Sequence, residues 1–432
     1  MHKSIWEDKC QIHQNKELKG EIKTDVLIIG AGICGICCAY FLKKAGVDCV
    51  IVEASSIASG ITKNTTAKIT SQHGLIYSKL LHQNDATTAF LYLKAHQSAI
   101  DEYEKLCKNL DCDFSKCRSY VYSLDNRKKI ETEMTALEKI GFKALFAGET
   151  ELPFKIAGAV CFENQAQFNP LKFIFELSKH LDIYENTFVK EVTCGKVITN
   201  SATIKADSII VATHFPFINK HGSYFLKLYQ QRAYVSAFNN AQTLNSMYMD
   251  EAENGFTFRS YNDTLIIGGN CHRTGKRSTG WKPLDDFAGK HYPDSELIYQ
   301  WSTQDCMSLD GISYIGQYSK QTPNLYVATG FNKWGMTSSM VSATILTDII
   351  CGKENKFAHL FSPQRSILTP QLATNISEAL CGLVTPTKKR CPHLGCALKW
   401  NRNEHTWDCP CHGSRFEKSG KLIDNPSTHD LK

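Results

Sequence analysis

The chain has 432 residues, of which 42% are hydrophobic and 21% are charged, and its formal net charge is +6. This length predicts two or three domains with a substantial core. The two basic runs, 127–129 and 388–390, are short, and no basic helix is interleaved with aromatic residues, which argues against a nucleic-acid partner. Residues 1–22 are polar and carry no targeting signal, so we expect a cytoplasmic protein without a membrane span.

A strand, a glycine-rich turn, a helix and a second strand are predicted near the start of the chain. Residues 26–29 are a short apolar run, which indicates a buried strand. A helix is predicted over 33–45, ending at Gly46, and strand character returns over 47–52. The uncharged stretch 26–42 is too short for a membrane span, which needs about 20 apolar residues.

The turn carries the pattern Gly30-x-Gly32-x-x-Gly35, and Glu53 follows at the distance typical of dinucleotide sites. In this pattern the first glycine makes a tight turn, the second lets the backbone approach a pyrophosphate, and the third lets helix and strand pack closely. The helix N-terminus faces the phosphates, and the acid accepts a hydrogen bond from a ribose hydroxyl. The sequence therefore predicts a dinucleotide site.

Strands and helices alternate through the rest of the first 357 residues. The segment 59–68 is rich in small and hydroxyl residues and follows the second strand, where such residues can contact phosphate or a flavin ring. No second GxGxxG pattern occurs, so we expect electrons to come from an organic substrate rather than from NAD(P)H. Helices are predicted over 85–108, 130–140, 171–181 and 337–350, strands over 120–124, 183–192, 206–213 and 325–331, and antiparallel sheet over 224–270.

The order of these motifs resembles the D-amino-acid oxidase (DAO) family of FAD-dependent oxidoreductases over about residues 20–357. The resemblance rests on the glycine turn, Glu53 and the segments 59–68, 206–213, 310–316 and 328–331. It implies FAD, with its adenosine diphosphate half on the glycine turn and its flavin ring near Gly330. The cofactor-binding residues that it implies are Gly30, Ala31, Gly32, Gly35, Glu53, Ala54, Thr66, Ala67, Val189, Ala212, Thr213, Gly330 and Phe331.

A cluster of cysteines and histidines lies near the C-terminus. Cys391 and His393 form a CxH pair, and after fifteen intervening residues Cys409 and His412 form a CxxH pair. Two thiolates and two imidazoles suit either a tetrahedral zinc or a two-iron cluster with cysteines on one iron and histidines on the other. The spacing of the ligands does not choose between these metals.

The full motif, 391–396 followed by 409–414, resembles the Rieske [2Fe–2S] domain. The resemblance implies that Cys391 and Cys409 bind one iron, that His393 and His412 bind the other, and that Cys396 pairs with Cys411 in a disulfide. Little more than residues 369–390 precedes the first loop, so we expect this small unit to lean on the flavin domain. Phe416 stands where respiratory members commonly carry tyrosine, and losing that hydroxyl should lower the potential.

The predicted fold is α/β plus β. It combines an FAD-binding Rossmann-like domain, an interleaved antiparallel substrate domain and a small all-β cluster domain, an architecture that resembles a bacterial family of Rieske oxidoreductases. The predicted boundaries are 1–22 for an N-terminal extension, 23–84, 156–216 and 296–357 for the FAD-binding parts, 85–155 and 217–295 for the substrate parts, 358–384 for a linker and 385–432 for a shortened Rieske domain.

The predicted function is oxidation of a small amine or amino acid at the C–H bond next to nitrogen, with electrons passing from the flavin to the cluster and on to an unknown acceptor. Candidate catalytic residues are Arg232, Tyr234, His272 and Lys68, of which Arg232 can hold a carboxylate bidentately. The alternative is an electron-transfer or redox-sensing protein that oxidises no small molecule itself. A Rieske oxygenase is disfavoured because flavin motifs occupy the length that its mononuclear iron site needs.

Overall fold

The computed structural model describes residues 3–9, 15–193 and 195–431. The strands are β1 Gly20–Ile29, β2 Cys49–Val52, β3 Lys68–Ile69, β4 Ser115–Ser123, β5 Leu145–Ala147, β6 Gly158–Gln167, β7 Asp182–Tyr184, β8 Val189–Thr193, β9 Lys196–Thr199, β10 Ala202–Val211, β11 Leu228–Asn239, β12 Met247–Asp250, β13 Thr257–Tyr261, β14 Thr264–Arg273, β15 Glu296–Ser308, β16 Tyr314–Gln317, β17 Leu325–Thr329, β18 Lys399–Asn401, β19 Thr406–Asp408, β20 Arg415–Glu417 and β21 Leu422–Asp424. The helices are α1 Ile33–Lys44, α2 Ile76–Gln83, α3 Ala86–Cys107, α4 Arg127–Lys139, α5 Pro170–Ser178, α6 Tyr224–Lys227, α7 Lys282–His291, α8 Gly335–Ile350, α9 Ala358–Phe361 and α10 Pro370–Val384.

The first sheet is built on parallel strands in the order β17-β10-β1-β2-β7, with β16 antiparallel at one edge. Helices α1 and α8 pack against each other over this sheet, and β1 ends in the fully buried run 26–29. Buried parallel strands read as continuous apolar runs, as predicted here. Because these strands are parallel, their carboxyl ends meet at one edge, where ligands bind in such sheets.

The second sheet has nine strands and follows the order β15-β11-β14-β13-β12-β4-β6-β3, with β5 paired to β6. It is larger than the predicted antiparallel region, because β3, β4, β5, β6 and β15 join it from the ranges 23–84, 85–155, 156–216 and 296–357. Three of these ranges, those of β3, β6 and β15, are assigned by the sequence to FAD binding. The alternation of apolar and polar residues identifies a strand but not its partner, and the partner decides which sheet it joins.

The third sheet contains β18 to β21, all antiparallel, and carries the cluster loops. Its buried apolar core is small and consists of Cys391, Cys396, Leu398, Cys409, Cys411 and Phe416. The segment 358–384, predicted as a linker, contains α9 and the 15-residue α10. A proline at its first helical position and a regular spacing of apolar residues favour α10, and these local signals make the segment a structural element rather than a tether.

Local sequence signals locate the helices well. The Asp85 carboxylate accepts from the Thr88 amide at 2.7 Å at the start of α3, and the Asn169 side chain accepts from two amides at the start of α5, as expected for N-caps. The single strand predicted over 183–192 is divided into β7 and β8, because Asn186 between them has a positive φ of 51°. In the part of the chain that the structure describes, no helix combines the length and apolarity needed to cross a membrane.

Candidate active site and cluster loops

The carboxyl edge of the first sheet gathers most of the predicted cofactor residues. Gly30 follows β1, Glu53 follows β2, Ala212 follows β10 and Gly330 follows β17. Thr213 and Phe331 directly follow Ala212 and Gly330 in the chain. The predicted residues, far apart in sequence, therefore converge on the edge where a dinucleotide binds in this type of sheet.

Two glycines of the turn lie where a side chain cannot fit. A Cβ at Gly30 would lie 2.7 Å from the Ala212 carbonyl oxygen, and one at Gly35 would lie 1.9 Å from the Gly30 carbonyl oxygen. Gly30 also has a φ of +108°, which other residues rarely adopt. The N-cap Gly32 offers no side-chain oxygen to the first turn of α1, although the Thr62 hydroxyl accepts from the Ile33 amide at 3.1 Å, and the positive end of the helix favours an anion.

Glu53 is held directly over this turn. Its carboxylate accepts hydrogen bonds from the amides of Ala31 at 2.8 Å and Ser55 at 2.9 Å. Burial raises the pKa of Glu53, and these amide bonds work against that shift. Ala54 beside it is exposed. The Thr187 amide donates to the Glu53 carbonyl oxygen at 2.8 Å, which brings the segment leading to Val189 beside the acid.

Buried donors hold the carbonyl groups of the loop 64–67. The indole nitrogens of Trp301 and Trp6 donate to the carbonyls of residues 64 and 65 at 2.9 and 2.8 Å. The Arg259 guanidinium donates to the carbonyls of Thr66 and Ala67, both at 2.8 Å. Arg259 is almost fully buried on β13, and no local motif in the sequence marks it. These bonds fix the loop that the resemblance assigns to the flavin.

Lys68 lies beside the same loop. Its ammonium donates to the Thr66 hydroxyl at 3.2 Å. Burial, together with the nearby Arg259, lowers the pKa of Lys68 to about 7. The side chain can therefore exchange a proton near neutral pH, although its role as a catalytic residue stays a prediction.

Arg232 is engaged elsewhere. Its Nε donates to Glu404 Oε1 at 3.1 Å, and its Nη2 donates to Glu404 Oε2 and to the Ser302 hydroxyl. Glu404 lies in the turn between β18 and β19 of the cluster unit. The bidentate contact that the sequence predicted with a substrate carboxylate is therefore made with a protein carboxylate. Glu404 lies 172 positions away from Arg232, so the local sequence does not predict this contact.

Tyr234 and His272 lie at the same seam between the second sheet and the cluster unit. Their rings stack at 5.7 Å with an interplanar angle of 12°. Burial raises the pKa of Tyr234, and the Glu404 charge adds to the shift. Burial also lowers the pKa of His272, which keeps the imidazole neutral. Three of the four candidate catalytic residues are therefore grouped around Glu404, apart from Lys68.

Sequence reasoning missed a charged group beside Gly330. Lys333 lies near Cys271, Asp305 and Glu253, and although burial alone would lower the pKa of Lys333, these neighbours raise it. Burial raises the pKa of Asp305 to about 6, against the effect of the Lys333 charge. Both residues are half-buried.

The loop that carries Lys333 has an unusual backbone. Asn332 and Lys333 have φ values of 52° and 74°, which non-glycine residues rarely adopt in succession. The Asn332 side chain compensates by accepting from the Ser308 amide at 2.8 Å and donating to the Gly330 carbonyl at 2.7 Å. Strained backbone that is held in place by surrounding contacts is concentrated at functional sites. In the sequence, only the asparagine after the Gly330 turn indicates this conformation.

The cluster loops bring the four predicted ligands together. Cys391 and Cys409 are buried, and the rings of His393 and His412 lie 4.9 Å apart. His393 Nε2 is hydrogen-bonded to Asn219 Oδ1 at 2.8 Å, and His412 to the backbone of Phe225. Among the described residues, the buried Nδ1 atoms of both histidines have no hydrogen-bond partner. Two thiols and two such nitrogens fit a cluster with cysteines on one iron and histidines on the other.

The sulfurs around these loops are tightly grouped. Cys396, Cys409 and Cys411 place their Sγ atoms within 4.8 Å of one another. This set shares only Cys409 with the four predicted ligands, which would be divided between two irons. The structure does not contain the predicted disulfide: Cys396 and Cys411 are both free thiols. Their sulfurs lie close to each other and to that of Cys409, and the Cys411 thiol donates to the Glu378 carbonyl at 3.7 Å.

The cluster loops rest mainly on the second sheet, whereas the sequence predicted support from the flavin domain. Gln230 Nε2 donates to the His412 carbonyl at 2.8 Å, and Gln304 Nε2 to the Gly413 carbonyl at 2.9 Å. The Arg273 guanidinium donates to the carbonyls of residues 410 and 411 at 3.0 and 3.2 Å. The Asn425 side chain donates in the opposite direction, to the carbonyls of residues 213 and 215.

A buried charge network completes this interface. Arg415 Nη2 donates to Glu404 Oε2 at 2.7 Å, and the same guanidinium contacts Asp408 and Asp424 at 3.2 and 3.0 Å. Burial alone would raise the pKa of Glu404, but Arg232 and Arg415 outweigh burial and lower it to about 2. The carboxylate is therefore charged at any neutral pH and joins the two parts of the molecule.

Comparison with known proteins identifies both parts. The family "FAD dependent oxidoreductase" (DAO) matches residues 25–349, and the "Rieske [2Fe-2S] domain" matches residues 380–432. The chain is a DAO-family FAD-dependent oxidoreductase with a C-terminal Rieske domain. Its cofactors are FAD and a [2Fe–2S] cluster, and the donor sets described above fit both.

Relatives support this assignment over the whole chain. The chain is 33% identical to the "Putative Rieske 2Fe-2S iron-sulfur protein YhfW" of Bacillus subtilis (strain 168), over 99% of this chain and 97% of that protein. Its fold is similar to glycine oxidase from Geobacillus kaustophilus, with a TM-score of 0.68 and 20% identity over 80% of this chain and 99% of the other. L-proline dehydrogenase from P. horikoshii gives a TM-score of 0.67 and 16% identity over 81% and 98%.

Proposed function

We propose that this protein oxidises a small amino acid or a closely similar amine, and that the electrons leave through the Rieske cluster. The observation that carries the substrate class is the grouping of Lys333 with Asp305 and Glu253 near Gly330, where these acids raise the pKa of Lys333. A cation and an anion close to each other complement the carboxylate and the ammonium group of an amino acid. The solved structures with this fold include a glycine oxidase and a proline dehydrogenase, which act on substrates of this class.

Each charged group has a role in this proposal. The Lys333 ammonium holds the substrate carboxylate, and the Asp305 carboxylate receives the substrate ammonium group. Lys68, whose pKa of about 7 suits proton exchange, takes up a proton released from the substrate nitrogen. FAD supplies the acceptor for the two electrons of the C–H bond, and the cluster carries electrons one at a time. Arg232 has no part in binding because Glu404 engages it.

The test mixes the purified protein anaerobically with glycine, sarcosine and proline, and in parallel with methylamine and pyrrolidine, which lack the carboxylate. We expect loss of flavin absorbance and the appearance of the cluster's EPR signal with the amino acids only. Lys333→Ala should raise KM by about 10- to 100-fold, since a charge-assisted hydrogen bond contributes roughly 1.5–3 kcal/mol. The exposed Lys320→Ala is the matched control.

Two results would contradict the proposal. Equal reduction by amines with and without a carboxylate would remove Lys333 from substrate binding. If no compound reduces the flavin while dithionite reduces both centres, the protein is an electron-transfer or redox-sensing protein, which is the alternative that the sequence left open.

A further inference from the structure

Helix α10 has an inverted amphipathic arrangement. Its buried residues are Asn375 and Gly382, whereas four of its large apolar residues are exposed. Together with Leu394 of the first cluster loop they form what we call the α10 patch, with exposed fractions between 40% and 77%. The α10 patch consists of Ile376, Leu380, Leu383, Val384 and Leu394. An apolar stripe that faces outward at helical spacing is typical of an interaction surface.

The inner face of α10 touches the cluster loops directly. A Cβ at Gly382 would lie 2.6 Å from Cys411 Sγ and 3.3 Å from Cys396 Cβ. The Ala397 amide donates to the Gly382 carbonyl at 2.9 Å. Arg390 ties the end of the helix to the loop by donating to the carbonyls of Leu383 and Gly395. One helix diameter, roughly 10 Å, therefore separates the α10 patch from the cysteine side of the cluster.

The opposite side of the cluster is already occupied. Phe215 lies edge-on to the rings of His393 and His412 at 6.5 and 6.3 Å, and Phe225 lies edge-on to His412 at 6.3 Å. Asn219 holds His393 from the same direction. These residues lie in the segment that leads from β10 to β11. The histidine side of the cluster thus faces this segment, and the side of Cys396 and Cys411 is covered by α10.

The chain segment that runs from the end of α10 through the first cluster loop carries one sign of charge. Residues 379–403 contain five basic and no acidic side chains, namely Lys388, Lys389, Arg390, Lys399 and Arg402. The nearest acids are engaged, since Glu378 pairs with Lys276 at 2.7 Å and Glu404 is buried with Arg232. An apolar centre with a basic rim complements a protein surface with an apolar centre and an acidic rim.

We propose that the α10 patch docks a small acidic protein that carries a one-electron centre of higher potential than the cluster. This proposal rests on the proposed function, because it names the acceptor for the electrons that leave the cluster. Each docking event moves one electron from the reduced cluster to the oxidised centre of the partner. Two such events remove the two electrons delivered by one substrate oxidation.

The experiment uses the holoprotein reduced with dithionite, so that no substrate is needed. The probes are an oxidised acidic c-type cytochrome, a basic c-type cytochrome as the charge-mismatched control, and ferricyanide as a small acceptor that needs no docking surface. Rates are followed by stopped-flow absorbance, and the Kd of the oxidised protein for each cytochrome is measured separately. We expect faster transfer to the acidic cytochrome, with a rate that falls as salt is added.

The variants test the apolar centre of the α10 patch and its basic surroundings separately. Leu380→Glu with Val384→Glu should slow transfer to the acidic cytochrome and weaken its Kd by about 10-fold or more, as expected when central apolar contacts are lost. Lys388→Glu, which lies outside the helix, should act in the same direction and flatten the salt dependence. Leu124→Glu, on an exposed residue after β4, is the matched control and should change neither quantity.

Several outcomes would overturn the proposal. Equal rates with acidic and basic cytochromes, or an unaffected Kd in both patch variants, would show that the α10 patch does not select an acidic partner. A wild-type dimer that the double variant converts to a monomer, without change in the cytochrome rates, would make the patch a contact between two copies. Slower oxidation by ferricyanide in Lys388→Glu that persists in high salt, where the negative charge of ferricyanide is screened, would mean that the cluster itself is impaired, which overturns the docking explanation and leaves substrate oxidation to its own test.

Discussion

The glycine turn and the cluster unit are both cofactor sites, but they are stabilised in different ways. The turn at 30–35 lies between adjacent elements of a large sheet, and its contacts are mostly with backbone. The cluster unit has a core of six residues, four of which are cysteines. It depends on Gln230, Arg232, Arg273 and Gln304 from the second sheet. A unit this small needs a metal or a neighbour to fold, and this one has both.

The largest effect is expected from the carboxylate that joins the two parts. Glu404→Gln leaves Arg232 and Arg415 buried without their shared counter-ion, which should cost about 3–5 kcal/mol of unfolding free energy. We expect loss of iron with FAD retained, measured by metal analysis and calorimetry. Glu417→Gln, an exposed acid on β20, is the control. Retention of iron in Glu404→Gln would mean that the cluster unit is independent of this network.

The same carboxylate gives a pH dependence. Because the pKa of Glu404 in the folded protein is lowered to about 2, its contribution is complete above the unfolded pKa of about 4.3 and is lost as pH falls toward 2. The difference in unfolding free energy between wild type and Glu404→Gln should therefore be constant from pH 8 to about 5 and shrink below it. A difference that already changes between pH 8 and 6 would point to another group.

On the nucleotide side, Gly35→Ala should be almost as damaging. The new Cβ would lie 1.9 Å from the Gly30 carbonyl oxygen, and backbone cannot move aside as a side chain can. We expect a loss of about 3 kcal/mol, at the upper end of ordinary overpacking, and loss of FAD on gel filtration. Gly148→Ala is the control, because a Cβ there would only reach Phe146 at 3.9 Å, an ordinary contact distance. FAD binding at wild-type strength in Gly35→Ala would contradict the proposed cofactor position.

A smaller effect is expected where α10 meets the cluster loops. Gly382→Ala brings a Cβ to 2.6 Å from Cys411 Sγ, which should cost about 1–3 kcal/mol and speed the loss of iron to a chelator. Gly289→Ala in α7 has open space around it and should be neutral or slightly stabilising, since alanine favours a helix interior. Equal iron retention in both variants would mean that α10 can move away from the loops without consequence.

The smallest effect concerns the ion pair that links α10 to the loop after β14. Lys276 Nζ lies 2.7 Å from Glu378 Oε1, but the lysine side chain is half exposed. Lys276→Ala should therefore cost only about 0.2–1 kcal/mol, and the effect should vanish in high salt. Thermal unfolding at two salt concentrations measures it. A loss of unfolding free energy as large as that of Glu404→Gln would mean that burial does not explain the difference between the Lys276–Glu378 and Arg232–Glu404 ion pairs.

The sequence by itself determined the local architecture and the identity of the cofactors. Residues close in sequence fix the turn at Gly30 and the helix starts at Asp85 and Asn169, so local patterns predicted them. The CxH and CxxH pairs identified the predicted metal ligands for the same reason. The predicted linker missed α10, and the predicted disulfide was wrong, since Cys396 and Cys411 are free thiols.

Only the tertiary structure decided which charges meet. Arg232 has the same local sequence whether it faces a substrate or Glu404, and the partner that decides its role lies 172 positions away. Lys333 and Asp305 likewise come together only when the Gly330 turn closes on β15. Coulombic interactions depend on distance and burial in space, which a linear pattern does not contain. The outward direction of the apolar face of α10 was decided in the same way, by the cluster loops that occupy its other side.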